Sequence, residues 1–132
     1  LTYHGPGQLV FYFIFSLKER GWSIPQFVKK IEELGLKLCQ AQEVPAHRKE
    51  KCPGLWLGEK KIASLGLYVH QGVSMHGMAL NVDPDLEDFQ WIIPCGIQQA
   101  KITSLSKETG KKLTVSSVIP SIEPLVAEIF NA

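Results

Sequence analysis

The sequence predicts an α+β domain: a mixed, largely antiparallel sheet flanked by helices. Two observations carry this. Short apolar segments separated by turn residues fill the middle of the chain, whereas segments with helical spacing and cap residues lie at its flanks. The composition agrees, because 132 residues with 45% hydrophobic and 20% charged positions can bury one ordinary core and are too apolar for a disordered chain.

The elements follow in order. Leu9 to Phe15 is a continuous aromatic and β-branched run, which predicts a strand covered on both faces. Ser23-Ile24-Pro25-Gln26 has capping-box spacing with Pro near the first helical position. Phe27, Val28, Ile31, Leu34 and Leu38 then recur at helical intervals, with Gly35 as a point where the helix would loosen. Gln40 to Pro53, including His47-Arg48-Lys49-Glu50-Lys51, reads as an exposed loop. Leu55-Trp56-Leu57 and Ile62 to Val69 flank Gly58-Glu59, the pattern of a tight hairpin with Gly at the positive-φ position. Ser74 to Val82 is a third strand, and Asp83-Pro84-Asp85 turns the chain. Ile92-Ile93-Pro94-Cys95-Gly96 ends a short apolar piece, placing Cys95 at a strand end or loop. Thr114 and Ser121 are candidate helix caps, and Leu125, Val126, Ile129 and Phe130 lie at helical spacing.

Charge and length narrow the function. Fourteen basic against thirteen acidic residues give a net charge of +1, so no global field holds a polyanion and nucleic acid is not expected as the main partner. The longest apolar run, Leu9 to Phe15, is too short to span a bilayer, and no secretory signal is expected. Three cysteines, Cys39, Cys52 and Cys95, cannot close a complete set of disulfides, so a reducing compartment, the cytoplasm, is expected.

The reactive inventory is small. Cys39 falls within the apolar rhythm of the helix and reads as a buried small hydrophobe. Cys52 stands in a charged loop beside Pro53-Gly54, an exposed thiol with no base specified nearby. Pro94 and Gly96 hold Cys95 in a turn, where a side chain is presented and backbone N–H groups can point at a reacting oxygen. A purely structural cysteine is the competing reading. No Cys-x-x-Cys or His-x-x-x-His pair occurs, so no metal site is expected. His4-Gly5-Pro6-Gly7-Gln8 lacks the ending of a phosphate loop and precedes a strand instead of a helix, which argues against ATP and NAD sites of the common kinds. Gly5, Gly7, Gly66, Gly72, Gly77 and Gly96 are read near strand ends, as turn residues or as the walls of a substrate tunnel. Lys60 and Lys61 face opposite sides of a strand, with Ala63 sharing the face of Lys61; one lysine can enter a site while the other stays in water.

Four segments then combine. Thr2-Tyr3-His4-Gly5-Pro6-Gly7-Gln8, Gly58-Glu59-Lys60-Lys61-Ile62-Ala63-Ser64-Leu65-Gly66, His76-Gly77-Met78-Ala79-Leu80-Asn81-Val82 and Ile93-Pro94-Cys95-Gly96 resemble, in order and spacing, the successive motifs of the lipoate-pathway octanoyltransferases. Thr103-Ser104-Leu105-Ser106-Lys107-Glu108 is similar to the tail of the same family. The resemblance implies an octanoyl-[acyl-carrier-protein]:protein N-octanoyltransferase with the fold of the biotin and lipoate protein ligase catalytic domain, using neither ATP nor another cofactor. It implies that Cys95 takes the octanoyl group from octanoyl-acyl carrier protein as a thioester and passes it to a lysine of the lipoyl domains of 2-oxoacid dehydrogenases or of glycine-cleavage H protein. Lys61 would be its dyad partner. Thr2, Tyr3, His4, Ser64, Leu65, Gly66, Gly77, Met78 and Ala79 would form the acyl site, the small residues Gly66, Gly77 and Ala79 leaving room for the chain. His76 reads equally as a structural histidine.

The residue types suit that chemistry. A thiol with a pKa near 8.5 is mostly protonated at neutral pH, and a neighbouring ammonium or a desolvated lysine acting as base raises its reactive fraction. An eight-carbon chain gains about 0.8 kcal/mol per buried CH₂, so the depth of an apolar slot selects chain length. Three rival readings remain: another lipoate-pathway transferase acting between carrier domains, a non-catalytic domain that binds a carrier, and a cysteine hydrolase, for which no histidine is marked as base. The family also carries a stretch ending in Arg-Gly-Gly before the Thr-Tyr-His motif. Residues 1–132 are therefore expected to be a single catalytic domain that is N-terminally incomplete.

Overall fold

A computed structural model describes residues 4–89 and 101–131, with side chains for 4–87 and 101–131. Expectations for Thr2, Tyr3 and the Ile92–Gly96 piece with Cys95 lie outside the described residues.

Four strands form an antiparallel sheet in the order β1-β4-β3-β2, with β1 Gln8–Tyr12, β2 Leu55–Leu57, β3 Lys60–His70 and β4 Val73–Asn81. A fifth, β5 Lys101–Ile102, runs parallel to β3 against Lys60 and Lys61, so the sheet is mixed and largely antiparallel, as the sequence predicts. Both hairpins turn where the backbone enters positive φ: at Gly58 (58°) between β2 and β3, and at Gln71 and Gly72 (51° and 79°) between β3 and β4.

Helices cover one face. α1 spans Leu17–Arg20, α2 Ile24–Ala41, α3 Leu105–Thr109, α4 Val115–Val118 and α5 Ile122–Phe130. The capping box at the start of α2 forms as expected, with Ser23 Oγ accepting from Gln26 N–H and Gln26 Oε1 accepting from Ser23 N–H. Its apolar stripe, Phe27, Ile31, Leu34 and Leu38, packs with Leu9, Leu55 and Leu80 of the sheet and Phe130 of α5 into one core. Each such side chain contributes roughly 1.5–3 kcal/mol on burial. Aromatic rings close one end of this core. Phe130 lies 5.4 Å from Phe13 and 5.5 Å from Phe15 between ring centroids, and Trp22 lies 5.8 Å from Phe27. Arg20 stands 5.0 Å over Phe15 and donates to the Phe130 carbonyl, while Lys30 donates to the Ile129 carbonyl. Two cations thus meet the last carbonyls of α5, where the helix leaves acceptors unpaired.

Several expectations need correction. The Leu9 to Phe15 run is strand only to Tyr12 and is covered on one face: Val10, Tyr12 and Ile14 are 41%, 67% and 73% exposed. Among the described residues β1 pairs with β4 alone, and the described helices pack on the opposite face of the sheet. Gly35 does not loosen α2. A Cβ there would stand 2.5 Å from Leu55 Cδ1 and 2.9 Å from Met78 Sδ, so glycine lets the helix approach the sheet. The Gln40–Pro53 loop buries Val44 and Cys52, and His47 exchanges both backbone hydrogen bonds with Trp56. Thr114 caps α4 through Ser117 N–H, but Ser121 makes no cap hydrogen bond, because α5 continues directly from a 3₁₀ turn at Ile119–Ser121. Gly66 and Gly77 are not at strand ends; they pair with each other in mid-sheet. No helix among the described residues is long and apolar enough to cross a membrane.

Candidate functional site

The uncovered face of β1, β4 and β3 holds a cavity of about 470 Å³, within the range of small-molecule sites. His4, Ser64, Leu65, Gly66, Gly77, Met78 and Ala79 all line it, together with Val10, Tyr12, Tyr68 and His76 at its sides. The described acyl-site residues of the sequence analysis therefore come together at one place. Strand pairing explains this, since Ser64 stands opposite Ala79, Leu65 opposite Met78 and Gly66 opposite Gly77, while Val10 of β1 flanks Ala79 from the other side. His76, with φ of 63°, meets Tyr12 edge-on at 5.8 Å.

The two floor glycines differ in what they allow. A Cβ on Gly66 would meet nothing within 4 Å, so that position borders open space. On Gly77 it would stand 2.5 Å from the Phe11 carbonyl oxygen and 2.6 Å from the Phe13 ring. Gly77 is small because the neighbouring strand needs the space, which corrects the view that it makes room for a chain.

The adjacent lysines have separate environments. Lys60 Nζ donates to both carboxylate oxygens of Glu108, at 3.0 and 2.9 Å, and Glu108 also accepts from Thr103 Oγ1 at 2.6 Å. Burial alone would raise the Glu108 pKa, but the hydrogen bonds from Thr103 and Lys60 outweigh it and hold the carboxyl below its usual value. Lys61 has no carboxylate partner among the described residues, and burial pushes its ammonium below the ordinary lysine value.

A register shift sets the side on which Lys61 lies. Leu55 pairs with Ala63 but Trp56 pairs with Lys61, so β3 advances two residues while β2 advances one. Leu55 points at Gly35 of α2, and Trp56, the next residue, points away from the helices. Lys61 Nζ lies 5.7 Å from the Trp56 ring centroid and so shares the cavity face of the sheet. Simple alternation placed Lys61 with Ala63; the bulge separates them.

The loop bearing His4 is tied to the end of β4. The Gly7 carbonyl accepts from Val82 and Asp83 N–H, and Gly7, at φ of 89°, has no space for a Cβ against the Asp83 carbonyl. A chain of side-chain amides runs alongside. Gln8 Oε1 accepts from Gly5 N–H at 3.1 Å and lies 3.2 Å from His4 Nδ1. Gln8 Nε2 donates to Asn81 Oδ1 at 2.9 Å, and Asn81 Nδ2 donates to the Thr103 carbonyl at 3.1 Å. Thr103 N–H in turn donates to the Lys61 carbonyl at 2.9 Å. Asn81, Gln8 and Thr103 received no role from the sequence. The available signal was a single amide, Asn81, in the otherwise apolar Met78–Val82 stretch, since buried polar groups are there to be hydrogen-bonded.

Of the cysteines, Cys39 is free and buried as expected, and burial pushes its thiol up to about 12, which makes it inert at neutral pH. Cys52, expected in an exposed loop, is buried; its carbonyl accepts from Trp56 Nε1–H. Among the described residues no group of three or more His, Cys, Asp or Glu is arranged to hold a metal ion.

Comparison with known proteins adds a second line. The family model described as lipoyl protein ligase A/B catalytic domain matches residues 1–126. The octanoyltransferase of Caldicellulosiruptor saccharolyticus is 40% identical over 134 residues, covering all of this chain and 57% of that protein. The octanoyltransferase of Geobacter sp. (strain M21) is 44% identical over 118 residues, covering 89% of this chain and 58% of that protein. The chain thus spans little more than half the length of these curated relatives. Among solved structures, biotin protein ligase from Aquifex aeolicus in complex with biotin and ATP superposes with a TM-score of 0.72 at 20% identity, covering 95% of this chain and 50% of that one. A lipoate-protein ligase A bound with ATP gives 0.67 at 14% identity, covering 94% and 51%. These two likenesses establish the fold expected from the sequence.

Proposed function

The chain belongs to the lipoyl protein ligase A/B catalytic-domain family, and from that premise we propose that it carries the catalytic portion of an octanoyltransferase of protein lipoylation. The observation that carries the reading is that His4, Ser64, Leu65, Gly66, Gly77, Met78 and Ala79 line one cavity, on the sheet face to which the register shift turns Lys61. Its walls are mostly apolar and its volume suits a medium-length acyl chain.

The proposed reaction has two transfers. The Cys95 thiolate attacks the thioester carbonyl of octanoyl-acyl carrier protein, and the carrier thiol leaves with a proton. The ε-amine of a lysine on a lipoyl domain or glycine-cleavage H protein then attacks the octanoyl-enzyme thioester, forming the amide and returning the Cys95 thiol. Thr2 and Tyr3 complete the acyl site in this reading, and the setting is the cytoplasm. Lys61 is the proton-handling partner. Burial lowers its pKa and so raises the fraction of neutral amine, the form that removes a proton from a thiol or an attacking amine. Amide formation from a thioester is downhill, so the scheme needs no ATP.

The test is intact-mass measurement after incubation with octanoyl-acyl carrier protein and a thiol reductant, without ATP. An octanoyl adduct that disappears in Cys95→Ala supports the reading. Retention of the adduct in that variant overturns the assignment of the nucleophile. Acyl transfer to a lipoyl domain only from free octanoate with ATP would instead make the chain a ligase.

A further inference from the structure

We infer that Gln8 and Asn81 are positioning residues that fix His4 as the Nδ1–H tautomer, so that its Nε2 lone pair is presented to the occupant of the cavity.

The inference follows from hydrogen-bond polarity. The Thr103 carbonyl can only accept, so the Asn81 atom 3.1 Å from it is the donating Nδ2. Asn81 Oδ1 then faces Gln8 and accepts from Gln8 Nε2. Gln8 is thereby oriented with Oε1 toward the loop, an orientation that the Gly5 N–H, which can only donate, enforces independently. Two backbone groups at opposite ends thus agree on the direction of the whole chain. The atom that lies 3.2 Å from His4 Nδ1 is an acceptor, so a neutral His4 holds its proton on Nδ1 and leaves Nε2 bare.

Burial makes this arrangement durable. Asn81 is 4% exposed and both ends of its amide are engaged, so turning it over would set its oxygen against the Thr103 carbonyl and its NH₂ against that of Gln8. The chain also links the two parts of the candidate site, because Thr103, which accepts from Asn81, donates its own N–H to the Lys61 carbonyl. On the octanoyl-transfer reading, on which this one consequence rests, the bare Nε2 accepts a hydrogen bond from the attacking substrate amine.

The protein supplies its own internal standard. His47 Nδ1 lies 3.0 Å from the Arg48 carbonyl and His47 Nε2 accepts from Gly58 N–H at 3.1 Å, so backbone groups alone fix the same tautomer there.

Long-range ¹H–¹⁵N correlation spectra of the histidine rings, taken on the whole chain with the imidazoles neutral, test the inference without any substrate. The expected result is that both His4 and His47 show the Nδ1–H pattern. Gln8→Ala should then shift His4 toward the Nε2–H form that free imidazole side chains favour, with His47 unchanged. Asn81→Ser, which releases the Gln8 amide, should do the same to a smaller extent; if that variant does not fold, Gln8→Ala decides alone. A wild-type His4 in the Nε2–H form, or a His4 pattern unmoved by Gln8→Ala, overturns it. Failure of octanoyl transfer with the tautomers as expected would count against the reaction and leave the positioning role standing.

Discussion

Lys61 lies with its ammonium 5.7 Å from the centroid of the Trp56 indole, while its neighbour Lys60 is bound to Glu108. Two adjacent lysines of one strand thus occupy different physical settings. Alternation along β3 sends the two side chains to opposite faces, the extra residue at the Leu55–Trp56 register shift sets which face Lys61 takes, and chemical consequences follow for each.

For Lys61, burial lowers the pKa in the folded chain while the unfolded chain keeps the ordinary value of 10.5. Between those two values the unfolded state binds more protons, so stability rises with pH in that window, and below it the charged lysine carries its full desolvation cost. Lys61→Met should therefore gain stability relative to wild type near neutral pH, and the gain should shrink as pH approaches 10.5. Urea denaturation at several pH values measures this; a constant difference across the range would contradict it.

In octanoyl transfer, Lys61→Ala should lower the rate by on the order of 10²-fold or more, the usual effect of losing a general acid–base group. Lys60→Ala should leave transfer unchanged and cost only about 0.2–1 kcal/mol, because its ion pair is partly exposed. Paired kinetics and thermal melts of the two variants distinguish the roles, and equal losses of transfer would remove the assignment of Lys61.

Glu108 responds in the opposite pH direction. With its folded pKa depressed, its contribution is present above the unfolded value of 4.5 and is lost as pH falls through the folded pKa. Glu108→Gln should be less stable than wild type at neutral pH, with the two converging under acid. Acid titration followed by circular dichroism checks the convergence.

The floor glycines give a matched pair. Gly77→Ala forces a Cβ against the Phe11 carbonyl and the Phe13 ring and should cost about 1–3 kcal/mol, the usual range for overpacking. Gly66→Val enters open space, should leave the melting temperature nearly unchanged and should shorten the slot. Losing the burial of two methylenes costs ~1.6 kcal/mol, so octanoyl should fall roughly 15-fold against a chain two carbons shorter. Competition between acyl donors of different length reads the effect directly.

Much of this was legible in the sequence where signals are local. The Ser23 capping box, the Gly58 hairpin, the helical stripe of α2 and the grouping of His4, Ser64–Gly66 and Gly77–Ala79 all emerge from spacing or motif order. The short helices α1 and α3 were missed although each has a serine cap and a left-handed glycine end, at Ser16 and Gly21 and at Ser104 and Gly110. A four- or five-residue helix leaves too little periodicity to detect. What could not be read depends on partners distant in sequence. The side taken by Lys61 is set by β2, the exposure of β1 by the described helices lying on the other face, and the role of Asn81 by Gln8 and Thr103, 73 and 22 residues away.

The strand order has a kinetic consequence. β3 and β4 are joined by a tight turn, whereas β1 reaches β4 only by bringing Leu9 to Leu80, some seventy residues along the chain. Loop-closure entropy penalises the second pairing far more, so the hairpin that makes the cavity floor should form before the strand that makes its wall. Leu65→Ala should then slow folding, while Leu9→Ala should mainly hasten unfolding. The cavity would be the last part of the sheet assembled and the first part opened.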